Sequence, residues 1–133
     1  MRWPMLLVVT AGLAACTETL TTPAVPETGP VAGSEIGALV EGGPYDVRVF
    51  VGQDAGTAGS GVMWDFSAGT VSGNFETAAG ETGTFSIPAE IVGNQLCAGE
   101  GDGRECHFVY RIENGFMEVN ADGSVHAVSR RTS

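Results

Sequence analysis

The chain has 133 residues, 16 of them acidic and 6 basic, and a formal charge of −10 at neutral pH. All the basic residues are arginines, and they form no cluster, so nucleic acid is excluded as a partner. Electrostatic docking to anionic lipid headgroups is excluded on the same ground.

Met1-Arg2 opens a mostly apolar stretch that closes on Leu13-Ala14-Ala15-Cys16. One positive charge, about a dozen mostly apolar residues and a small-residue cleavage site predict a secretory signal peptide over residues 1–15. The cysteine after two alanines makes a lipobox, and the segment resembles the signal of bacterial lipoproteins. The resemblance implies cleavage before Cys16, a diacylglycerol thioether on its sulfur and an acylated amino terminus. It makes the membrane, reached through that lipid, a partner. Thr17 is not the Asp that holds lipoproteins at the inner membrane of enteric bacteria, so by that analogy the outer membrane is the expected location. An ordinary signal peptide with an incidental cysteine is the other reading. Removal of residues 1–15 takes Arg2 away and leaves 5 arginines against 16 carboxylates, a charge of −11.

Residues 16–34 include Pro23, Pro26 and Pro30, several threonines and no apolar periodicity, which predicts a disordered Pro/Thr-rich tether. A domain over residues 35–133 follows, large enough for one modest core of roughly 95 residues. Glu35 to Val40 reads as a helical turn or an edge strand.

Tyr45, Val47, Val49 and Val51 then alternate with Asp46 and Arg48, as in a strand with one buried face. Val62, Trp64 and Phe66 form a second alternating set. Ser67-Ala68-Gly69 is a tight hairpin loop, and Val71, Gly73 and Phe75 return with Thr70, Ser72 and Asn74 toward water. Phe85 and Ile87 alternate up to Pro88, where that run is expected to end. Leu96-Cys97, a glycine-rich turn at Gly99 to Gly103, and Cys106, Phe108, Tyr110 and Ile112 on one face come next. Asn114-Gly115 and Asp122-Gly123 mark the last hairpins. Seven or eight short strands at about ten-residue spacing predict an all-β fold. The expected form is a small antiparallel barrel or sandwich with meander connectivity.

Trp64-Asp65-Phe66-Ser67-Ala68-Gly69-Thr70-Val71-Ser72-Gly73-Asn74-Phe75, then Gly83-Thr84-Phe85 and Ile91-Val92-Gly93-Asn94, resembles the barrel hairpins of transferrin-binding-protein-B-like lipoproteins. That family repeats an Asp-Phe, glycine-turn, Val-Ser-Gly hairpin followed by a strand ending in Gly-Asn. The resemblance implies a small lipid-anchored barrel that binds a ligand or a protein. The family's glycine-rich Phe-Tyr-Gly segment is replaced here by Cys106-His107-Phe108-Val109-Tyr110.

With Cys16 assigned to lipid, Cys97 and Cys106 form an even pair in an oxidising compartment and predict a disulfide. Only two histidines exist, and each falls opposite an apolar strand face, so His107 and His126 are expected at the surface or rim. No nucleophile elbow accompanies them. A zinc set of Cys97, Cys106, His107 and His126 lacks the short Cys spacing such sites use. Asp65, Glu76 and Glu118 offer carboxylates, and nothing pairs two of them. Glu100 and Asp102 sit in a turn without the dense oxygen alternation of a calcium loop. No catalytic residue, metal or cofactor is expected. Trp64, Phe66, Phe75, Phe85, Phe108 and Tyr110 are expected in the core.

The reading is a non-enzymatic, lipid-anchored envelope protein whose β-domain binds a basic protein or a small ligand. Glu100, Asp102 and Glu105 are the candidate partner-binding residues. The alternatives are a structural envelope-maintenance lipoprotein and an inhibitor of a basic hydrolase such as lysozyme.

Overall fold

The computed structural model describes residues 22–52 and 54–132; the expected signal peptide and Cys16 lie outside the described residues. One helix, α1 (Gly33–Val40), precedes eight strands: β1 (Tyr45–Val49), β2 (Ala58–Asp65), β3 (Thr70–Glu76), β4 (Thr82–Val92), β5 (Gln95–Ala98), β6 (Glu105–Ile112), β7 (Gly115–Val119) and β8 (Val125–Arg131). Each strand pairs antiparallel with the next, and β8 returns to β1 through Tyr45↔Arg131 to Val49↔Ala127. The sheet is therefore a closed meander barrel with no free edge.

Period-two alternation decides what the barrel encloses. Tyr45 on β1, Val62 and Trp64 on β2, Val71 on β3, Ala89 on β4, Leu96 on β5, Val109 on β6 and Phe116 on β7 are all buried in one cluster. On β2 the phase changes at Gly61, whose φ of +58° accompanies the register shift between Ser60 and Met63. That bulge turns Val62 and Trp64 inward after Gly59.

Strand β4 runs through Pro88 instead of ending before it. Thr82 to Pro88 pair with β3 and Ala89 to Val92 pair with β5, so the proline sits where the strand changes partner. A residue without an N–H is tolerated at such a hand-over.

Helix α1 closes one end. Ile36, Leu39 and Val40 are buried against the barrel core, and the Tyr45 hydroxyl donates to the Leu39 carbonyl at 2.6 Å. Burial pushes the Tyr45 phenol pKa up, with the Arg131 and Arg111 guanidinium groups acting against it. The Tyr45 and Phe116 rings meet edge to face at 5.0 Å. The first helical residue must be glycine, because a Cβ at Gly33 would overlap the Gly93 carbonyl; its N–H donates to Asn94 Oδ1 at 2.7 Å.

The segment read as tether through Ser34 is fastened to the barrel before the helix starts. Val31 donates its N–H to the Val109 carbonyl at 2.6 Å and packs on the core. Val25 packs on the outer face of the barrel, against a second cluster made by Met117, Val119, Val125 and Val128.

That outer cluster corrects the reading of β6. Tyr110 and Ile112 pack on it, so the Cys106/Phe108/Tyr110/Ile112 face points out of the barrel. The inner face carries His107 and Val109, which are 4% and 0% exposed.

Cys97 and Cys106 lie directly opposite each other on β5 and β6 and are joined by a disulfide, with their Cα atoms 4.0 Å apart.

Candidate functional site

Opposite the helix, the barrel opens. A cavity of about 490 Å³ occupies this half, with Val47, Val49, Val62, Val71, Phe75 and Phe85 among its apolar walls. Trp64 lies at its inner end, where its ring stands 6.5 Å from that of Phe116. The Trp64 indole Nε1 is buried and, among the described residues, has no hydrogen-bond partner. A buried N–H left in that state costs about 1–3 kcal/mol, and each such group calls for a physical explanation.

Polar side chains converge on one side of this mouth. Glu105 and His107 come from β6, Glu118 from β7 and His126 from β8, and all four line the cavity. His107 Nδ1 lies 3.4 Å from Glu118 Oε1, and both side chains are at most 10% exposed. The His107 and His126 rings stack, with centroids 3.9 Å apart and planes 14° from parallel.

His126 reaches this position through a bulge. Glu118 pairs with Ala127 and Val119 with Val125, which leaves His126 as the extra residue on β8. Strict alternation from Ala127 and Ser129, which face the cavity, would send His126 outward; the bulge re-aims it. Its carbonyl accepts the Phe50 N–H at 2.7 Å, tying β8 to the loop after β1. In that loop Gly52 has φ +119°, and a Cβ there would stand 3.1 Å from each Glu105 carboxylate oxygen and 3.2 Å from His126 Cε1. The loop therefore passes directly over the polar cluster, at a residue that has to be glycine.

The site expected from sequence divides in two. Glu105 faces the cavity beside the histidines, Glu100 is exposed at the rim of the same cavity, and Asp102 is exposed on the 3₁₀ segment Gly101–Gly103 outside its lining. Of the two histidines expected at the surface or rim, His126 is half-buried at the mouth, a rim position, whereas His107 is buried inside the barrel.

Of the other carboxylates, Glu118 is inside the barrel and Glu76 is exposed. Asp65 holds the β2–β3 turn, accepting from Ser67 Oγ at 2.7 Å and from the Ser67 and Ala68 N–H groups. Those bonds, the Ser67 hydroxyl foremost, hold its carboxyl below the usual range. The zinc set drawn with cysteines is not assembled, because both sulfurs are in the disulfide.

Sequence reasoning missed the His107–Glu118 pair, although a signal for it was present. Counting back across the hairpin at Asn114, Glu118 pairs with Val109, which puts it on the face of His107. No protein-family model, curated protein or solved structure matches this chain.

Proposed function

We propose that this is a non-enzymatic binding protein of the cell envelope, held by lipid on Cys16, whose barrel takes a small, largely apolar ligand through its open end. The observation that carries this reading is the cavity itself. Its volume of about 490 Å³ falls in the range of small-molecule sites, which combine apolar walls with a few polar groups that orient the ligand. The unpaired indole N–H of Trp64 is a donor ready to meet a ligand acceptor. The resemblance of the β2–β4 hairpins to transferrin-binding-protein-B-like barrels supports the same class of role.

A soluble form beginning at Thr22 contains Trp64 as its only tryptophan, so its emission reports on the cavity directly. Titration with a neutral apolar dye such as N-phenyl-1-naphthylamine should saturate at one site and change Trp64 emission. Val49→Phe, which places a ring in the mouth, should abolish both effects while the protein stays folded. Saturable binding that ignores Val49→Phe places the ligand elsewhere and defeats the proposal. Anchoring is tested separately. A palmitate analogue should label the full chain and fail with Cys16→Ser.

A second reading, a basic protein docked on the rim, is favoured by the exposed carboxylates Glu100 and Asp102. Such a complex would weaken with salt and with charge reversal at Asp102, which lies outside the cavity lining, whereas a neutral apolar ligand in the cavity would respond to neither.

A further inference from the structure

Five carboxylates and one arginine occupy the four loops that ring the mouth: Asp54, Glu81, Glu100, Asp102 and Asp122 against Arg104. The arginine is engaged with Glu90. A cleft framed in this way concentrates cations. Inside it, Glu105, His107 and His126 each offer one donor atom, and these atoms all lie within 4.8 Å of one another.

We propose that Glu105, His107 and His126 form a binding site for one divalent transition-metal ion of the zinc class, with Glu118 as the positioning residue behind His107. Two imidazoles and a carboxylate are the donor set of open zinc sites, at bond lengths of about 2.0–2.2 Å. Magnesium and calcium prefer sites built from oxygen alone. Closing the three donors around an ion turns His126 out of its stack on His107, so that both ring planes point at the ion, and brings Glu105 in; both are half-buried, while His107 is fixed by burial.

The placement of Glu118 explains a group that the fold does not need. A carboxylate inside an apolar barrel is costly, and well-packed apolar residues would often serve stability as well. Facing His107 Nδ1 at 3.4 Å, it sets the ring orientation and leaves Nε2 as the atom His107 offers to a metal. That is the carboxylate–histidine–metal relay common at such centres. Three protein donors leave a coordination position open toward the cavity. The site stands on its own side chains and does not depend on whether the cavity also takes an apolar ligand.

The test is calorimetric titration of the purified full chain in detergent, stripped with chelator, using Zn²⁺ alone. One ion per chain should bind at micromolar or lower concentration, and binding should weaken as the pH falls and protons compete for imidazole and carboxylate. Glu118→Gln should weaken binding by about 10–100-fold, the usual effect of losing a supporting carboxylate. His126→Gln and Glu105→Gln should weaken it further. Glu35→Gln, exposed on the helix at the other end of the barrel, should bind as the wild type does. Because His107 is deeply buried and its replacement can unfold the barrel, His126→Gln carries the test, with far-UV circular dichroism as the folding control. The Co²⁺ form should show the visible bands of a nitrogen–oxygen site and no thiolate charge-transfer band. No stoichiometric Zn²⁺ binding, or binding indifferent to His126→Gln and Glu105→Gln, overturns the proposal. A wild-type chain that binds the dye but no Zn²⁺ would sink this inference alone. A wild-type chain that binds Zn²⁺ but no dye would sink only the apolar-ligand reading.

Discussion

At the helix-capped end, Ile36, Leu39 and Val40 pack over Tyr45 and Phe116, and several polar groups there finish the structure. The Tyr45 hydroxyl meets the Leu39 carbonyl, Glu41 accepts the Phe66 N–H at 2.9 Å, and Arg131 Nε donates to the Gly42 carbonyl at 3.2 Å. At the mouth, the same eight strands hold two stacked histidines, two carboxylates and an indole N–H unpaired among the described residues around a cavity. A sequence selected only to fold would fill both ends as it fills the first. The difference teaches that stability and chemistry have been divided between the two ends.

The comparison can be broken by unequal responses to substitution. The largest effect is expected at the capped end: Phe116→Ala removes the ring that packs on both Tyr45 and Trp64. It should cost about 3–5 kcal/mol in urea unfolding. An equal loss from Val49→Phe at the mouth would show that the mouth is structural too.

The disulfide is next. Replacing Cys97 and Cys106 together by alanine opens a loop of about ten residues, an expected loss of about 2.5–3 kcal/mol in the chain-entropy model. It should leave Zn²⁺ and dye binding in place, because the bond joins β5 to β6 through their outward-facing positions. Tyr45→Phe should cost about 1 kcal/mol by removing the hydroxyl's bond to the Leu39 carbonyl, which keeps the longer bond from the Gly42 N–H at 3.4 Å, again without touching the mouth.

The smallest effect is electrostatic and belongs to both ends. Asp65 in the β2–β3 turn and Asp122 in the β7–β8 turn are both held below the usual carboxylate range, chiefly by the hydroxyls of Ser67 and Ser124. A carboxyl whose folded pKa is lowered contributes stability above its unfolded value and loses it as pH falls through the lowered one. Acid unfolding of Asp65→Asn and Asp122→Asn should therefore have a shallower limb below about pH 4. Unchanged acid limbs would remove these turns from the account.

How much of this was legible in the sequence varies by strand. The faces of β2 and β3 were, since Trp64 is buried between exposed Met63 and Asp65, and Val71 and Phe75 alternate with polar Thr70, Ser72 and Asn74. The strand count, the meander order and the Cys97–Cys106 bond followed from turn spacing and thiol parity. Strand β6 misled because both its faces are covered. The residues that pack outward, Tyr110 and Ile112, are as apolar as a core face, and the inward face carries a histidine. Alternation cannot assign a side when apolar material lies on both. Glu105 was grouped with Glu100 and Asp102 by nearness in sequence, although it already belongs to the strand and so points into the barrel. His126 depends on a bulge set by the register between β7 and β8, which no local pattern around residue 126 reveals.

The central claim is that binding belongs to the mouth and that the capped end serves only the fold. Amide and indole ¹H–¹⁵N spectra of the soluble form, recorded with and without saturating dye or Zn²⁺, test it most directly. The account predicts shifts at Val47, Val49 and the Trp64 indole for the dye, and at Gly52, Glu105, His107 and His126 for the metal. Helix α1 should stay still in both cases. Shifts centred on α1, or on the outer groove beside Pro88 and Cys97, would contradict it.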